Sequence, residues 1–207
     1  MESYRTVLDL SKGEYEEKRS RFIGALAPVK SEEEAVKFIA KIRAENREAR
    51  HNVHAFVVRE NGASRFSDDG EPHGTAGKPV LDVINGFELK DVCLVVTRYF
   101  GGILLGTGGL CRAYSAAAKL AAENAQIVTM QPQKCFVTVC DYQQYNRLEP
   151  FIIKNGGNIS NVEYGEKVTV TYYFRAELCE MYLSGLKEMF AANLTAECIG
   201  EDFAPVL

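Results

Sequence analysis

The chain has 207 residues, of which 46% are apolar and 25% charged, and its formal net charge is −4. Those proportions fit one large globular domain or two small ones and exclude wholesale disorder. The charge excludes a protein that is basic over its whole surface, so any nucleic-acid footprint has to come from local clustering.

The first twenty residues, "MESYRTVLDLSKGEYEEKRS", lack the apolar core of a signal peptide, and no later run approaches the length of a membrane span. Residues 4–8 and roughly 15–29 read as strands, the second turning back after Pro28. "EKRSR" at 17–21 lies in that strand, as a solvated face or as a local basic patch. "SEEEAVKFIAKIRAENRE" predicts a helix with Ser31 as N-cap and Glu34 completing a capping box. Ala35, Phe38, Ile39 and Ile42 give it a single apolar face. "VHAFVV" at 53–58 is a strand. The polar stretch "RFSDDGEPHGTAGKP" at 65–79 follows as a surface loop, and a short helix starts at Lys78-Pro79 and runs to about Asn85.

"DVCLVVTRYF" has a continuous apolar middle, the pattern of a strand buried on both faces. After "GGILLGTGG" comes a long helix to about Asn124. It buries Leu110, Tyr114, Ala117, Ala118 and Ala121 and turns Arg112, Ser115 and Lys119 the other way. Beyond "TMQPQK" the pattern restarts as strand 135–141, helix from about 143, strands 157–164 and 167–175, helix 177–190 and strand 195–200. That order, β-α-β-β-α-β, is a ferredoxin-like plait. Pro150 is expected to kink or end the first of its helices. The domain boundary is placed at 131/132. Residues 1–131 carry 18 Lys/Arg and 18 Asp/Glu, and residues 132–207 carry 6 and 10, which accounts for the whole −4. Six cysteines without a C-x-x-C pair fit reduced thiols in the cytoplasm.

Three chemistries can be weighed at the 65–79 loop and the glycine-rich turn. His51, His54 and His73 lie near Asp68, Asp69 and Glu71, but without metal-ligand spacing, and no metal or cofactor is expected. Carboxylates, His73, Thr75, Ser67 and Lys78 could serve acid–base work, but no nucleophile elbow is present. The third reading is an anion site. "GGILLGTGG" opens a helix, so free N–H groups converge there with Arg98, Lys78 and Arg112, without a Walker or dinucleotide fingerprint.

"ARHNVHAF", "RFSDDGEPHGTAGKPVLDVI" and "LVVTRYFGGILLGTGGLCRAYSAAA" resemble the IMPACT family in its bacterial, YigZ branch, from about Arg21 through Ala118. The restart at 134 is similar to the small C-terminal domain of bacterial members. The resemblance implies an α+β chain of two domains. Residues 1–131 would form a split β-α-β module like a ribosomal small-subunit protein and domain IV of elongation factor G, and 132–207 the ferredoxin-like plait. Eukaryotic relatives regulate translation by competing for the activator of the amino-acid-starvation kinase.

Carried over by position, the matching residues include His51, Asn52, Ser67, Gly70, Pro72, Gly74 and Tyr114. His54, His73 and Cys111 depart from the family pattern. The expected binding face comprises Asp68, Asp69, Glu71, Thr75, Lys78, Arg98, Tyr99, Gly101, Gly102, Thr107, Gly109 and Arg112. The two motifs are expected to fold together into one polar face bearing Asp68, Asp69, Glu71, Arg98 and Arg112. The expected function is non-enzymatic binding in translation or stress response, with RNA, the ribosome or a translation-associated protein as partner and a phosphate or other anion as a contact. The alternatives are an enzyme acting on a phosphorylated small molecule or nucleotide, and a protein-binding adaptor using the acidic C-terminal domain.

Overall fold

The computed structural model describes residues 2–206. The chain divides into two compact units, one spanning Tyr4–Thr129 and the other running from Met130 onward and including the described residues before Tyr4. The first contains β1 (Tyr4–Val7), β2 (Ser11–Glu17), β3 (Ser20–Pro28), α1 (Glu32–Glu45), β4 (His51–Val57), β5 (Ser64–Ser67), α2 (Gly77–Gly86), β6 (Val92–Tyr99) and α3 (Gly106–Glu123). Its sheet runs β2-β3-β6-β4-β5 with antiparallel neighbours throughout. Because β3 and β4 both run against β6, they are parallel to each other with β6 between them. Joined through α1, they form the split β-α-β expected.

Both faces of this sheet are covered. Phe22, Leu26, Val53, Leu94 and Val96 pack with Val80, Ile84, Leu110 and Tyr114 of α2 and α3. Ala25, Phe56, Cys93 and Val95 pack with Ala35, Ile39 and Ile42 of α1. The unbroken apolar run of β6 follows from that double coverage, here in an antiparallel sheet. Helix α3 lies so close to β2 and β3 that glycine is required beneath it. A Cβ on Gly13 would stand 2.4 Å from the Ala121 nitrogen, and one on Gly24 2.5 Å from the Ala117 oxygen.

The strand expected over 15–29 is a hairpin. Lys18 and Arg19 make its turn with φ of 47° and 65°. Two-residue turns of this kind usually carry Asn-Gly, so Lys-Arg gives no turn signature in the sequence. Ser31 does cap α1, accepting from the Glu34 nitrogen at 3.2 Å, but Glu34 reaches back to the Lys30 nitrogen at 2.7 Å instead of closing a box on Ser31.

The second unit comprises β7 (Ile127–Cys140, begun in the first unit), α4 (Tyr142–Lys154), β8 (Asn158–Tyr164), β9 (Val168–Arg175), a short 3-10 turn, α5 (Cys179–Met189) and β10 (Glu197–Val206). Strands β10-β7-β9-β8 give the ferredoxin-like plait, and the long β7 also pairs with β1. Its core holds Phe136, Leu148, Ile152, Tyr172, Phe174 and Tyr182. The buried hydroxyls of Thr138, Tyr172 and Tyr182 bond one another at 2.7 and 2.8 Å. Asp141 and Gln144 form a true capping box on α4. Pro150 does not end that helix, which continues to Lys154. Pro150 and Asn146, whose carbonyl loses its N–H partner, are both exposed, so water can satisfy that carbonyl. β10 extends six residues beyond the expected strand.

Because the obstacles at Gly13 are helix backbone atoms, Gly13→Ala is expected to destabilise the protein by about 1–3 kcal/mol. The measurement is a urea unfolding curve, whose midpoint should fall with its slope unchanged.

Candidate functional site

The loop between β5 and α2 is held by three carboxylates, each aimed at a different element. Asp68 accepts from the backbone nitrogens of Gly74 (2.9 Å), Ala76 (3.1 Å) and Gly77 (2.8 Å). It thereby fills the N-terminus of α2, where a negative charge meets free amides and the positive end of the helix dipole. Burial alone would raise its pKa, but the three N–H groups outweigh burial and hold the carboxyl below its ordinary value.

Asp69 turns the chain with φ of 45°. Its carboxylate accepts from the Asn52 nitrogen of β4 at 2.6 Å and pairs with Arg43 of α1. Its carbonyl meets Nδ1 of His51 at 2.8 Å. Glu71 enters the core, where Oε1 accepts from Nη1 of Arg98 on β6 at 2.6 Å and from the Tyr114 hydroxyl of α3 at 2.7 Å. The Arg98 and Glu71 side chains are only 8% and 4% exposed. Burial, and then the neighbouring Glu71, push the Tyr114 phenol far above its ordinary range, so it stays a donor. Nε of Arg98 has no partner, and the guanidinium lies against the Phe22 and Phe100 rings at 5.5 and 5.4 Å. The Thr75 hydroxyl closes the loop on the Pro72 carbonyl at 2.7 Å.

The second motif begins where β6 ends. Tyr99 donates to Oδ1 of Asn46 at 2.8 Å. The Gly101 nitrogen donates to Oγ of Ser20 at 3.1 Å. A Cβ on Gly101 would lie 2.1 Å from the Arg19 carbonyl carbon, so this loop sits flush on the β2–β3 turn. Gly102 has φ of 85°, and Gly109 is buried against Leu105. Helix α3 starts without a side-chain cap. Thr107, Gly108 and Arg112 are exposed around that start, with Nη1 of Arg112 close to Gly108. On the outer side of α3, Val83, Cys111, Arg112, Ser115, Ala116 and Lys119 line a groove of about 410 Å³.

The structure therefore sorts the expected residues into two sets. Asp68, Asp69, Glu71, Thr75, Arg98, Tyr99, Gly101 and Gly109 are engaged inside the fold. Gly102, Thr107 and Arg112 face solvent, as does Lys78, which pairs with Asp82. The five charged residues expected on one polar face do not share it: Glu71 and Arg98 are buried and Asp69 is tied down. Among the described residues no cluster of three or more His, Cys, Asp or Glu is placed to hold a metal. His54 is half-buried beside the Asn52 carbonyl, and burial lowers its pKa. His73 projects into solvent, 99% exposed, 3.7 Å from Asp68.

Sequence reasoning missed Arg43 and Ser20 as partners of the motifs, and it missed the exposed apolar group Phe100 (52%), Ile103 (42%) and Leu104 (83%). Large apolar residues flanked by glycines in a turn were the available signal for that group, since such a turn cannot bury them.

The Impact N-terminal domain profile matches residues 18–122, and a domain of unknown function, DUF1949, matches 138–193. IMPACT family member YvyE of Bacillus subtilis is 36% identical over 190 residues, 91% of this chain and 88% of its own. IMPACT family member YigZ of Escherichia coli is 40% identical over 150 residues, 71% of this chain and 74% of its own. A crystal structure of a hypothetical protein, 34% identical, superposes with a TM-score of 0.63 over 98% of this chain and 100% of its own. Protein IMPACT of Xenopus laevis matches over 95 residues, 44% of this chain and 30% of its own, at 38% identity.

Two outcomes follow from the carboxylates. Glu71→Gln leaves Arg98 buried without a countercharge and is expected to cost about 3–5 kcal/mol, part of it recovered in Glu71→Gln/Arg98→Met. Denaturant unfolding of the four-member cycle checks this. Asp68→Asn should cost about 1–3 kcal/mol at pH 7. Because the folded pKa of Asp68 is depressed, its contribution is present above the unfolded carboxylate pKa and is lost as pH falls through the folded one. The gap between wild type and Asp68→Asn should therefore close in acid; unfolding midpoints from pH 7 to 3 read it directly.

Proposed function

This chain belongs to the IMPACT family, and we propose that within it the protein is a cytoplasmic regulator of translation that works by binding rather than by catalysis. Its contact with RNA, the ribosome or a ribosome-associated protein is made by the solvent-facing part of the glycine-rich motif, Gly102, Thr107 and Arg112. The motif resemblance to eukaryotic relatives that regulate translation supports the setting. No helix among the described residues is long and apolar enough to cross a membrane.

The observation that carries the reading is the fate of the signature carboxylates. Asp68, Asp69 and Glu71 are committed to helix amides, Arg43, Arg98 and Tyr114. An acid or base already held by fixed internal donors has no free proton-transfer role to offer a substrate. What stays open is the uncapped start of α3 with Arg112 beside it, a place suited to a phosphate or carboxylate of a partner.

Sedimentation of tagged protein in native lysate tests this, with wild type beside Arg112→Glu, with and without nuclease, at two salt concentrations. Arg112 is exposed, so its reversal should leave the fold intact, which a reversal of buried Arg98 would not. Wild type is expected to travel with a ribosomal species and Arg112→Glu to be depleted there. If both stay at the top of the gradient and a nucleotide panel raises Tm instead, the enzyme reading replaces this one; ligand at 100 times its Kd should stabilise by about 2.7 kcal/mol.

A further inference from the structure

Within that reading, and resting on it, we infer that the loop carrying Phe100, Ile103 and Leu104, together with the β2–β3 turn at Lys18–Arg19, is a docking surface for an acidic protein partner.

Three large apolar side chains are exposed within five residues, Leu104 at 83%. Single exposed apolar residues are ordinary, but a group of them on a small protein marks an interaction site. The loop is also held in place. Gly101 rests on the Arg19 backbone with no room for a side chain, and its nitrogen is bonded to Ser20. The apolar group is thus presented on a fixed backbone, which reduces the ordering cost of binding.

The turn itself and the start of α3 are positive. Lys18 and Arg19 are exposed at the turn packed against the loop. Two residues beyond Leu104, α3 begins with its amides uncapped by any side chain, and Arg112 stands nearly two turns further on, with Nη1 reaching back toward Gly108. Glu16 and Glu17 lie on β2 just before the turn, Glu17 accepting from the Tyr15 hydroxyl at 3.2 Å, and the motif carboxylates point into the fold. The complementary surface is an apolar recess that takes Leu104, ringed by carboxylates that meet Lys18, Arg19 and the α3 N-terminus.

The side-chain types favour protein over RNA. Bases dock on aromatic or guanidinium planes; the most exposed apolar side chain, Leu104, and its neighbour Ile103 offer none, and the Arg19 and Arg112 guanidiniums lie outside that apolar group. The Phe100 ring already lies against the Arg98 guanidinium.

The test uses the full chain and ribosomes prepared at low salt, which retain their bound proteins, beside the protein-free RNA extracted from them. Affinities are measured for wild type, Leu104→Glu and Lys18→Glu/Arg19→Glu, each first shown to keep the wild-type Tm. Wild type should bind the ribosomes and not the naked RNA. Leu104→Glu should weaken binding roughly ten- to hundred-fold, the value of one buried leucine. The double reversal should weaken binding and flatten its salt dependence. Naked RNA bound as tightly as ribosomes, or Leu104→Glu binding like wild type, overturns the docking surface while leaving the role in translation standing. Absence of wild-type binding to ribosomes overturns that role and the docking surface with it.

Discussion

Arg98 places a full positive charge where water barely reaches, on the face of β6 that α3 covers. Such a charge is tolerable only beside a carboxylate fixed at hydrogen-bonding distance, because the desolvation cost of an isolated ion is several kcal/mol. Glu71 supplies it, and Glu71 sits on a loop. The loop must therefore arrive at one place in one conformation. Asp68 secures the downstream end by capping α2, and Asp69 secures the upstream end on β4 and α1. Three adjacent acids thus tie together the sheet and all three helices of the first unit. The positive φ values of Asp69 and Gly70 are what allow consecutive side chains to diverge toward these separate targets.

This arrangement decides what the surface looks like. A loop that reads in the sequence as strongly acidic contributes little free negative charge to the exterior. Beyond α2, the β6 strand leaves the sheet at Tyr99 and the chain reverses its polarity pattern, placing Phe100, Ile103 and Leu104 outside. Charged side chains point inward and apolar ones outward, the opposite of the usual partition. Each inversion has a local cause: the buried charges neutralise one another, and the exposed apolar residues sit on a glycine turn pinned too close to Arg19 to fold over them.

The regular elements were legible because periodicity reports burial. The stripe of α3, the doubly covered β6 and the β-α-β-β-α-β order of the second unit each follow from spacing alone. The hairpin at Lys18–Arg19 was not legible, since its left-handed residues are of types that give no turn signal. Nor could the continuation of α4 through Pro150 be read, because it depends on that side of the helix being wet. For the site, sequence brought the right loops forward but not the directions of their side chains. Asp68, Asp69 and Glu71 look alike in a string. What separates them is whether the nearest donors are helix amides, an α1 arginine or a buried guanidinium, which only the tertiary fold determines.

The distribution of charge between the units narrows where a partner can bind. The structural units shift the earlier balance by one charge, because Glu2 groups with the second: eighteen against seventeen in the first unit, six against eleven in the second. A negatively charged partner, whether nucleic acid or acidic protein, meets net repulsion at the second unit and none on average at the first. Within the first unit, the acids of the signature are turned inward, while Lys18, Arg19, Arg112 and the open end of α3 are not. The matched Impact region begins at Lys18 and contains the clasp, the glycine turn and nearly all of α3. One segment of the chain therefore both neutralises the buried Arg98 through Glu71 and, by turning all three signature carboxylates inward, adds none of them to the surface that carries Lys18, Arg19 and Arg112.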